Sequence, residues 1–354
     1  MHSSRLSSLS EKLQVSSLDG FLASKEANVS YLTAYTSRDS YLLVSPKASY
    51  YITDFRYLEE ARENIKGVKV LGYKNLFKDI AVLAKKLKIR RLGFEAKSLN
   101  FAEYSRIKEY LSPKIKLIDT FNLVESLRQI KSPEEIGCLK EAIRITAKAF
   151  SFLKSYLRPG LKELEIAAEL ERFIRFEGAK TSAFSIIVAS GPNSSLPHAP
   201  ISERKLKTND SILIDMGVEA SGYKSDLTRV FLLGRITLAQ YKIYKIIQEA
   251  QNKAIEAIKP NVQINTLDQA ARKFIAKSGY GKYFGHSLGH GIGLEVHEEP
   301  SISSKNKSPL KEGMVFTIEP GIYIPGRFGI RLEEMVLVNK KGAEVLSGAI
   351  DKSI

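Results

Sequence analysis

The sequence has a single cysteine, Cys138, and lacks both a long apolar run and a block of like charges. One cysteine cannot form an internal disulfide, which excludes the disulfide-framed domains of secreted proteins. No apolar stretch approaches the roughly 18–20 residues that cross a bilayer, and the polar N-terminus lacks the apolar segment of a secretory signal. We therefore expect a cytoplasmic protein that does not enter the membrane.

The charge balance is basic but evenly spread. The 354 residues include 54 lysines and arginines against 39 acidic residues, which gives a net charge of +15. These cations form no basic tail, and the chain lacks zinc-finger spacing and the aromatic signature of RNA-binding domains. We interpret them as a solvated lysine-rich surface and expect no nucleic-acid partner. The length exceeds what one ordinary core fills, which favours two domains.

Residues 1–125 alternate short strand patterns with helix patterns. Apolar runs rich in β-branched and aromatic residues indicate strands, and apolar residues at helical spacing indicate helices. The predicted elements are strands at Tyr41–Val44, Tyr50–Thr53, Arg91–Glu95 and Ile115–Ile118, and helices at Phe55–Asn64 and Leu76–Lys88. The pattern predicts an α/β domain, and apart from His2 this region contains no histidine.

A clear helix start follows this region. Ser132 suits the N-cap, Pro133 the first helical position and Glu135 the capping-box partner. We therefore place a boundary near residue 126 and predict two domains, 1–125 and 126–354. In the second domain we predict helices at 133–157, Glu163–Glu177, Ala239–Ala257 and Thr266–Ser278, and strands at Phe184–Ala189, Ser211–Met216, Asp226–Leu233, Met314–Ile318 and Arg331–Val338.

The residues that can carry chemistry are concentrated in the second domain. Four of the five histidines occur there, in segments rich in glycine and proline: His198, His286, His290 and His297. Four acids stand at the ends or in the interior of apolar strands: Asp215, Asp226, Glu319 and Glu333. Close carboxylates repel one another unless a proton or a cation lies between them. An oxygen-rich group with one imidazole suits two divalent metals of the Mn, Co, Fe or Zn type.

Each of these residues also has a simpler interpretation. An aspartate at a strand end is commonly a turn or cap residue, and a buried glutamate commonly pairs with a cation, which Arg331 could supply. Tyr223 and Thr228 could support the carboxylates or could merely pack. The glycines Gly285, Gly289, Gly291 and Gly293 could allow close approach to a ligand or simply permit tight bends. The combination of residues, rather than any one of them, favours a metal site.

These segments resemble the aminopeptidase P/prolidase branch of metallopeptidase family M24. The paired-aspartate motif of that branch is similar to Asp215-Met-Gly and Gly222-Tyr-Lys-Ser-Asp226-Leu-Thr-Arg. Its histidine segment is similar to Gly285-His-Ser-Leu-Gly-His290-Gly-Ile-Gly-Leu-Glu-Val-His297-Glu-Glu-Pro. Its glutamate segments are similar to Ile318-Glu319-Pro-Gly and Gly329-Ile-Arg331-Leu-Glu333, and its substrate-histidine segment to Leu196-Pro-His198. The resemblance covers nearly the whole chain.

The resemblance implies a creatinase-like N-terminal α/β domain followed by a pita-bread catalytic domain, and a homodimer. It implies that two divalent metal ions, manganese or else cobalt, zinc or iron, are held by Asp215, Asp226, His290, Glu319 and Glu333. A water shared by two such ions would be the nucleophile, with Glu319 as general base and then acid. The remaining implied catalytic or substrate-binding residues are His198, His286, His297 and Arg331.

The expected substrate is a peptide with proline at its second position, whose tertiary amide has no N–H for ordinary strand-like binding. Some prolidases of the family carry an arginine after the His-Glu-x-Pro segment, where it holds the substrate carboxylate, and this chain has Ser301 there. We therefore expect an Xaa-Pro aminopeptidase, with an Xaa-Pro dipeptidase as the alternative. A non-catalytic pita-bread binding module is a remote alternative, because such relatives generally lose the metal ligands that this chain retains.

Overall fold

The computed structural model describes residues 2–352 of the chain, and the side chains of residues 4–352. It divides into two compact units, and the division falls between Arg128 and Gln129. Among the described residues, no helix is both long enough and apolar enough to span a bilayer.

The first unit is built on one mixed sheet. Its strands are β1 (Gly20–Ala23), β2 (Ser40–Val44), β3 (Ser49–Thr53), β4 (Lys69–Gly72), β5 (Arg91–Glu95) and β6 (Lys116–Thr120). Its helices are α1 (His2–Val15), α2 (Glu26–Thr33), α3 (Phe55–Asn64), α4 (Leu76–Lys86), α5 (Phe101–Tyr110) and α6 (Glu125–Arg128). The strand order is β4-β3-β2-β1-β5-β6, in which β1–β2 and β2–β3 are antiparallel and the other pairs are parallel.

Local sequence explains where several of these helices begin. The side chains of Asp54, Asn75 and Asn100 each accept a backbone N–H from the first turn of the helix that follows. Such caps satisfy N–H groups that have no partner inside the helix. The sheet and helices then bury an apolar core that includes Leu43, Ile52, Ile80 and Leu92. The expected α/β architecture of this region is confirmed.

The second unit combines two helix pairs with four small sheets. Its helices are α7 (Pro133–Tyr156), α8 (Glu163–Phe176), α9 (Leu238–Glu256) and α10 (Ile264–Lys277), with short 3₁₀ turns at Gly191–Ser195 and Gly281–Tyr283. Its strands are β7 (Thr181–Ser182), β8 (Ile187–Ser190), β9 (Ser211–Met216), β10 (Val218–Ala220), β11 (Tyr223–Lys224), β12 (Leu227–Leu232), β13 (Gly289–Gly291), β14 (Glu298–Ile302), β15 (Val315–Ile318), β16 (Gly321–Ile324), β17 (Phe328–Arg331), β18 (Glu334–Asn339) and β19 (Gly342–Val345). The sheet orders are β11-β10-β7, β12-β9-β8, β14-β13-β15-β18-β19 and β16-β17.

Two apolar cores lie on opposite faces of the five-stranded sheet. Along β18, Met335 and Leu337 belong to the core that contains α7 and α8, whereas Val336 and Val338 belong to the core that contains α9 and α10. Successive strand side chains point to opposite faces, so this alternation means that β18 is buried on both sides. The predicted start of α7 is confirmed, since Ser132 and Glu135 form the capping box and Pro133 is the first helical residue.

Some element predictions are wrong. The predicted strand Arg331–Val338 is interrupted: β17 ends at Arg331 and β18 begins at Glu334. The chain changes partner here from β16 to β15, and the N–H of Glu333 donates to Thr228 O at 3.3 Å. Helix α1 was not predicted, although its fully buried Leu9 and Leu13 stand one helical turn apart.

The glycines around His290 differ in the space they leave. A Cβ added to Gly289 would lie 2.0 Å from Thr317 O, and one added to Gly291 would lie 2.2 Å from Glu299 O. Both obstacles are backbone atoms of neighbouring strands, so these two glycines allow β13 to pass close to β15 and β14. Gly285 has no heavy atom within 4 Å of such a Cβ, so it serves no close approach.

We predict that Gly291→Ala lowers the free energy of unfolding by about 1–3 kcal/mol, the usual cost of overpacking a buried site. Gly285→Ala is the matched control, and its effect should stay within about 0.5 kcal/mol. Urea denaturation of the two variants measures both values. Equal stability of the two variants would show that β13 and β14 separate without cost.

Candidate functional site

Two antiparallel strands bring the first pair of acids together. Asp215 lies near the end of β9, opposite Thr228 of β12. Asp226 immediately precedes β12, whose first residue Leu227 is paired with Met216. Both aspartates therefore lie at the same end of the β9–β12 ladder. They are also buried, with exposed fractions of 9% and 5%.

Three more predicted residues come from the five-stranded sheet. His290 is the central residue of β13, Glu319 directly follows β15, and Glu333 directly precedes β18. The ladder pairs Gly291 with Phe316, and Ile318 with Glu334. This register places the histidine and the two glutamates at neighbouring points of the same sheet.

The structure places Asp226, His290 and Glu333 close enough to share a cation. His290 Nε2 lies 3.5 Å from Asp226 Oδ2 and 3.4 Å from Glu319 Oε1. Ligand atoms of Asp226, His290 and Glu333 all lie within 4.8 Å of one another. Asp215 Oδ1 is buried and accepts no hydrogen bond from any described residue. A buried carboxylate oxygen without a partner is costly, so its presence fits an atom that binds a ligand.

The electrostatics of the cluster also fit a cation. Burial, together with the nearby carboxylates, raises the pKa of Asp226 and of Glu333 well above the ordinary range of each residue. Burial and the charge of Asp215 raise the pKa of Glu319 to about 8, against the opposing effect of Arg331. Burial and His297 lower the pKa of His290 to about 4, which keeps its imidazole neutral. Buried acids that repel one another beside a neutral imidazole are the donor set that divalent metals prefer.

Arg331 supports the cluster from within the protein. It is 3% exposed, and its Nη2 donates to Asp215 Oδ2 at 2.6 Å while its Nε donates to Thr228 Oγ1 at 2.9 Å. Thr228 Oγ1 in turn donates to Glu333 Oε2 at 2.8 Å. One arginine thus orients one carboxylate directly and a second through a hydroxyl, as supporting residues of metal sites do. Tyr223 lies elsewhere, with its hydroxyl bonded to Glu135.

Sequence reasoning missed two residues that contact this network. Tyr323 Oη accepts from Arg331 Nη1 at 2.8 Å and lies 3.1 Å from His286 Nε2, so it joins the arginine to a pocket histidine. Thr317 Oγ1 accepts from the N–H of His290 at 3.1 Å and donates to Glu319 Oε1 at 3.3 Å. Tyr323 lies four residues after Glu319, but no spacing rule singled it out.

A cavity of about 830 Å³ opens over the cluster. Its lining includes the four carboxylates, all four histidines of the second domain, Ser301 and Arg331. Phe184, Ile187, Pro197 and Val296 add apolar wall. The ring centroids of His290 and His297 lie 4.3 Å apart, and burial lowers the pKa of His286 to about 4. The cavity can therefore hold a small, partly apolar ligand beside the neutral imidazoles of His286 and His290.

Comparison with known proteins agrees with this site. Residues 137–340 match metallopeptidase family M24, and residues 5–130 match the creatinase/prolidase N-terminal domain.

The chain belongs to metallopeptidase family M24.

Proteins similar to the chain include enzymes named for two specificities. An Xaa-Pro dipeptidase from Pyrococcus horikoshii is 38% identical over 340 residues, which cover 95% of each chain. The structure of an Xaa-Pro dipeptidase from Bacillus anthracis matches with a TM-score of 0.96 at 38% identity, covering 100% of this chain and 99% of the other. The structure of an X-Pro aminopeptidase from Thermotoga maritima matches with a TM-score of 0.89 at 38% identity, covering 96% and 97%.

These matches confirm the family, the peptidase class and the fold expected from the sequence, a creatinase-like α/β domain followed by a pita-bread catalytic domain. Membership of this M24 family implies divalent metal ions, and the carboxylate and imidazole groups described above fit such ions.

We predict that Asp226→Asn raises the melting temperature of metal-free protein by about 2 °C or more, because it removes one of several repelling buried charges. The same substitution should reduce the further rise in melting temperature produced by added Mn²⁺. Differential scanning calorimetry with and without Mn²⁺ measures both effects.

Asp210→Asn is the matched control, since Asp210 is also buried but is paired with Arg204 at 2.7 and 3.0 Å. This variant should lose stability and keep the full response to Mn²⁺. A fall in melting temperature for both variants would contradict the repulsion, and an unchanged Mn²⁺ response in Asp226→Asn would contradict its place among the ligands.

Proposed function

We propose that this member of the M24 family is an Xaa-Pro dipeptidase, which hydrolyses the bond between an N-terminal residue and a C-terminal proline. The observation that carries the proposal is the full-length likeness to the Bacillus anthracis dipeptidase, in a chain with a histidine-lined cavity over clustered carboxylates. The Pyrococcus horikoshii dipeptidase supports the same activity. This revises the aminopeptidase expected from the sequence in favour of its alternative.

The proposed metal ligands are Asp215, Asp226, His290, Glu319 and Glu333. Their support is the proximity of the ligand atoms, the unpartnered Asp215 Oδ1 and the repulsion among the acids. Bound divalent cations would polarise the scissile carbonyl and lower the pKa of water. Manganese is the proposed metal, although the same donors suit cobalt, zinc or iron.

Glu319 is the proposed general base and acid. Its Oε1, oriented by the hydroxyl of Thr317, accepts a proton from the attacking water and passes it to the departing nitrogen. The transfer is necessary because the nitrogen must gain a proton when its bond to the carbonyl carbon breaks, since it would otherwise leave as a strongly basic anion. Arg331 keeps Asp215 in place during this step, through the 2.6 Å hydrogen bond.

The other histidines provide substrate contacts in this proposal. His198 and His297 line the cavity and donate to the scissile carbonyl, whose oxygen gains negative charge in the transition state. His286 lines the side that receives proline, held by Tyr323 Oη at 3.1 Å and by Ser287 O at 2.8 Å. Domains at 1–125 and 126–354, a homodimer and a cytoplasmic location complete the proposal.

One observation favours an Xaa-Pro aminopeptidase as a second candidate. Ser301 lines the cavity at the position where some prolidases carry an arginine. The cavity lining that the structure describes contains one lysine or arginine side chain, that of Arg331, and its guanidinium already donates a hydrogen bond to Asp215. A dipeptide would therefore bind its carboxylate without an arginine from this segment, whereas a longer peptide has no carboxylate there. The Thermotoga maritima aminopeptidase supports this candidate.

We predict that protein stripped of metal and supplied with Mn²⁺, Co²⁺ or Zn²⁺ hydrolyses Ala-Pro faster than Ala-Pro-Ala. Release of free alanine, measured by chromatography at equal substrate concentration, gives both rates. Faster cleavage of the tripeptide would establish the aminopeptidase candidate. Failure to cleave either peptide with any of these metals would exclude an Xaa-Pro peptidase.

We predict that Glu319→Gln lowers kcat by about 10²–10⁴-fold, the usual contribution of a positioned acid–base group, and leaves the chain folded. Circular dichroism and the melting temperature check the fold. Glu299→Gln is the control, because Glu299 lies on β14 outside the proposed ligand set and accepts the N–H of Ser301 at 3.3 Å. Retention of full activity by Glu319→Gln would remove this residue from the mechanism.

A further inference from the structure

Glu163 is a fully buried carboxylate that faces no metal-binding residue. It is the first residue of α8 and is 0% exposed. Its Oε1 accepts from Ser190 N at 2.7 Å and from Ser190 Oγ at 2.6 Å, and its Oε2 accepts from Ser202 Oγ at 2.5 Å. Asn193 Nδ2 donates to both oxygens, at 3.2 and 3.0 Å. Burying a charge so completely is costly unless its hydrogen bonds serve the structure around it.

These donors belong to the two ends of one loop. Ser190 ends β8 and Asn193 follows in the 3₁₀ turn, while Ser202 lies on the returning segment. Asn193 Nδ2 also donates to Ser202 Oγ at 3.1 Å, so the two ends contact each other directly as well as through Glu163. Closing a loop at its base removes much of its conformational freedom.

His198 lies on the exposed part of this loop, between the two ends. Two contacts with the core hold the middle of the loop: Ser194 Oγ accepts from Gly329 N at 2.9 Å, and Pro197 O accepts from Arg331 Nη1 at 3.1 Å. Pro197 is the residue before His198, and both line the cavity. The side chain that reaches the substrate is therefore carried by a surface segment whose position depends on its anchors.

The backbone of α8 closes the same base. The N–H groups of Glu163 and Leu164, which have no partner inside the helix, donate to Arg204 O at 3.1 Å and to Ser202 O at 3.2 Å. Arg204 Nη1 donates to Ser190 Oγ at 2.5 Å and to Asp210 Oδ2 at 2.7 Å. The N-terminus of the helix and its first side chain thus bind the loop together.

The chemistry of the donors requires a carboxylate at this position. The N–H of Ser190 can only donate, so the group that faces it must accept. A glutamine could satisfy Ser190 with its oxygen, but its NH₂ would then face Ser202 Oγ and Asn193 Nδ2 in place of an acceptor. Both groups would have to reorient, which would loosen one end of the loop while α8 keeps its place.

We infer that Glu163 is a positioning residue for catalysis, which holds His198 over the scissile carbonyl by tying both ends of the loop 190–204. The inference rests on the proposed function, because it takes His198 to act on the substrate. Glu163 touches neither substrate nor metal in this arrangement and acts only through the loop.

Steady-state kinetics with Ala-Pro and Mn²⁺ tests this role. We expect Glu163→Gln to lower kcat about 10-fold and to change KM less than about 2-fold. The reason is that displacement of His198 weakens its hydrogen bond to the scissile carbonyl, which is made mainly in the transition state. Glu165→Gln is the matched control, because Glu165 stands in the same helical turn and is exposed. Among the described residues, its carboxylate accepts the N–H of Lys162 at 2.9 Å, within the first turn. Its kinetics should equal those of the wild type.

A double-mutant cycle separates positioning from general destabilisation. If Glu163 acts through His198, Glu163→Gln should have no further effect on kcat in a His198→Ala background. If kcat of the double variant instead falls by the product of the two single-variant effects, the inference is overturned and Glu163 has a role in stability alone. If Glu163→Gln folds poorly, Ser202→Ala replaces it in the cycle, because this substitution removes one hydrogen-bond donor and leaves the buried carboxylate in place. It should likewise lower kcat in the wild-type background and have no further effect on kcat in the His198→Ala background.

Hydrogen exchange provides a measurement that does not depend on activity. Glu163→Gln should increase amide exchange across residues 190–204 and leave exchange in β9 unchanged, whereas equal exchange in both proteins would contradict the anchor. An inactive wild type would disprove the proposed function, while the exchange experiment would still decide whether Glu163 holds the loop.

Discussion

The second unit is organised by the cost of holding several carboxylates close together in a buried place. Asp215, Asp226, Glu319 and Glu333 reach that place from different strands, and burial with mutual repulsion raises the pKa of three of them. Arg331 offsets part of this cost by donating a hydrogen bond to Asp215. It also donates to the hydroxyl of Thr228, which in turn donates to Glu333. The arginine leaves Asp215 Oδ1 unpartnered, so the protein's own groups do not fully neutralise the site. The remaining negative charge favours the binding of cations, and the family to which the chain belongs uses divalent metal ions for peptide hydrolysis.

The sequence predicts the parts of the site that have a local signature. An aspartate or glutamate beside an apolar strand is visible from the pattern alone, and β9, β12 and β15 lie close to their predicted positions. The break at Glu333 could not be predicted, because the chain there changes strand partner through contacts with residues far away in sequence. The contacts of Tyr323 with His286 and of Glu163 with Ser190 could not be predicted for the same reason, because these pairs are 37 and 27 residues apart along the chain.

The choice between dipeptidase and aminopeptidase specificity is the property that the sequence predicts least well. Ser301 replaces an arginine found in some prolidases, which favoured an aminopeptidase, yet full-length relatives of similar identity include both kinds of enzyme. The recognition of one carboxylate depends on a few atoms at the rim of a cavity, and these change without altering the fold. The proposed ligands Asp215 and Glu333, by contrast, are linked through Arg331 and Thr228 by hydrogen bonds, so these positions cannot vary independently.

The burial of the five-stranded sheet on both faces has a kinetic consequence. Apolar cores cover it from either side, and the acids that adjoin it line the cavity proposed to admit the peptide. Ions and substrate would then enter and leave by the same passage. A bound peptide would obstruct the departure of the ions beneath it, and the enzyme would lose its metal more slowly while turning over than while idle.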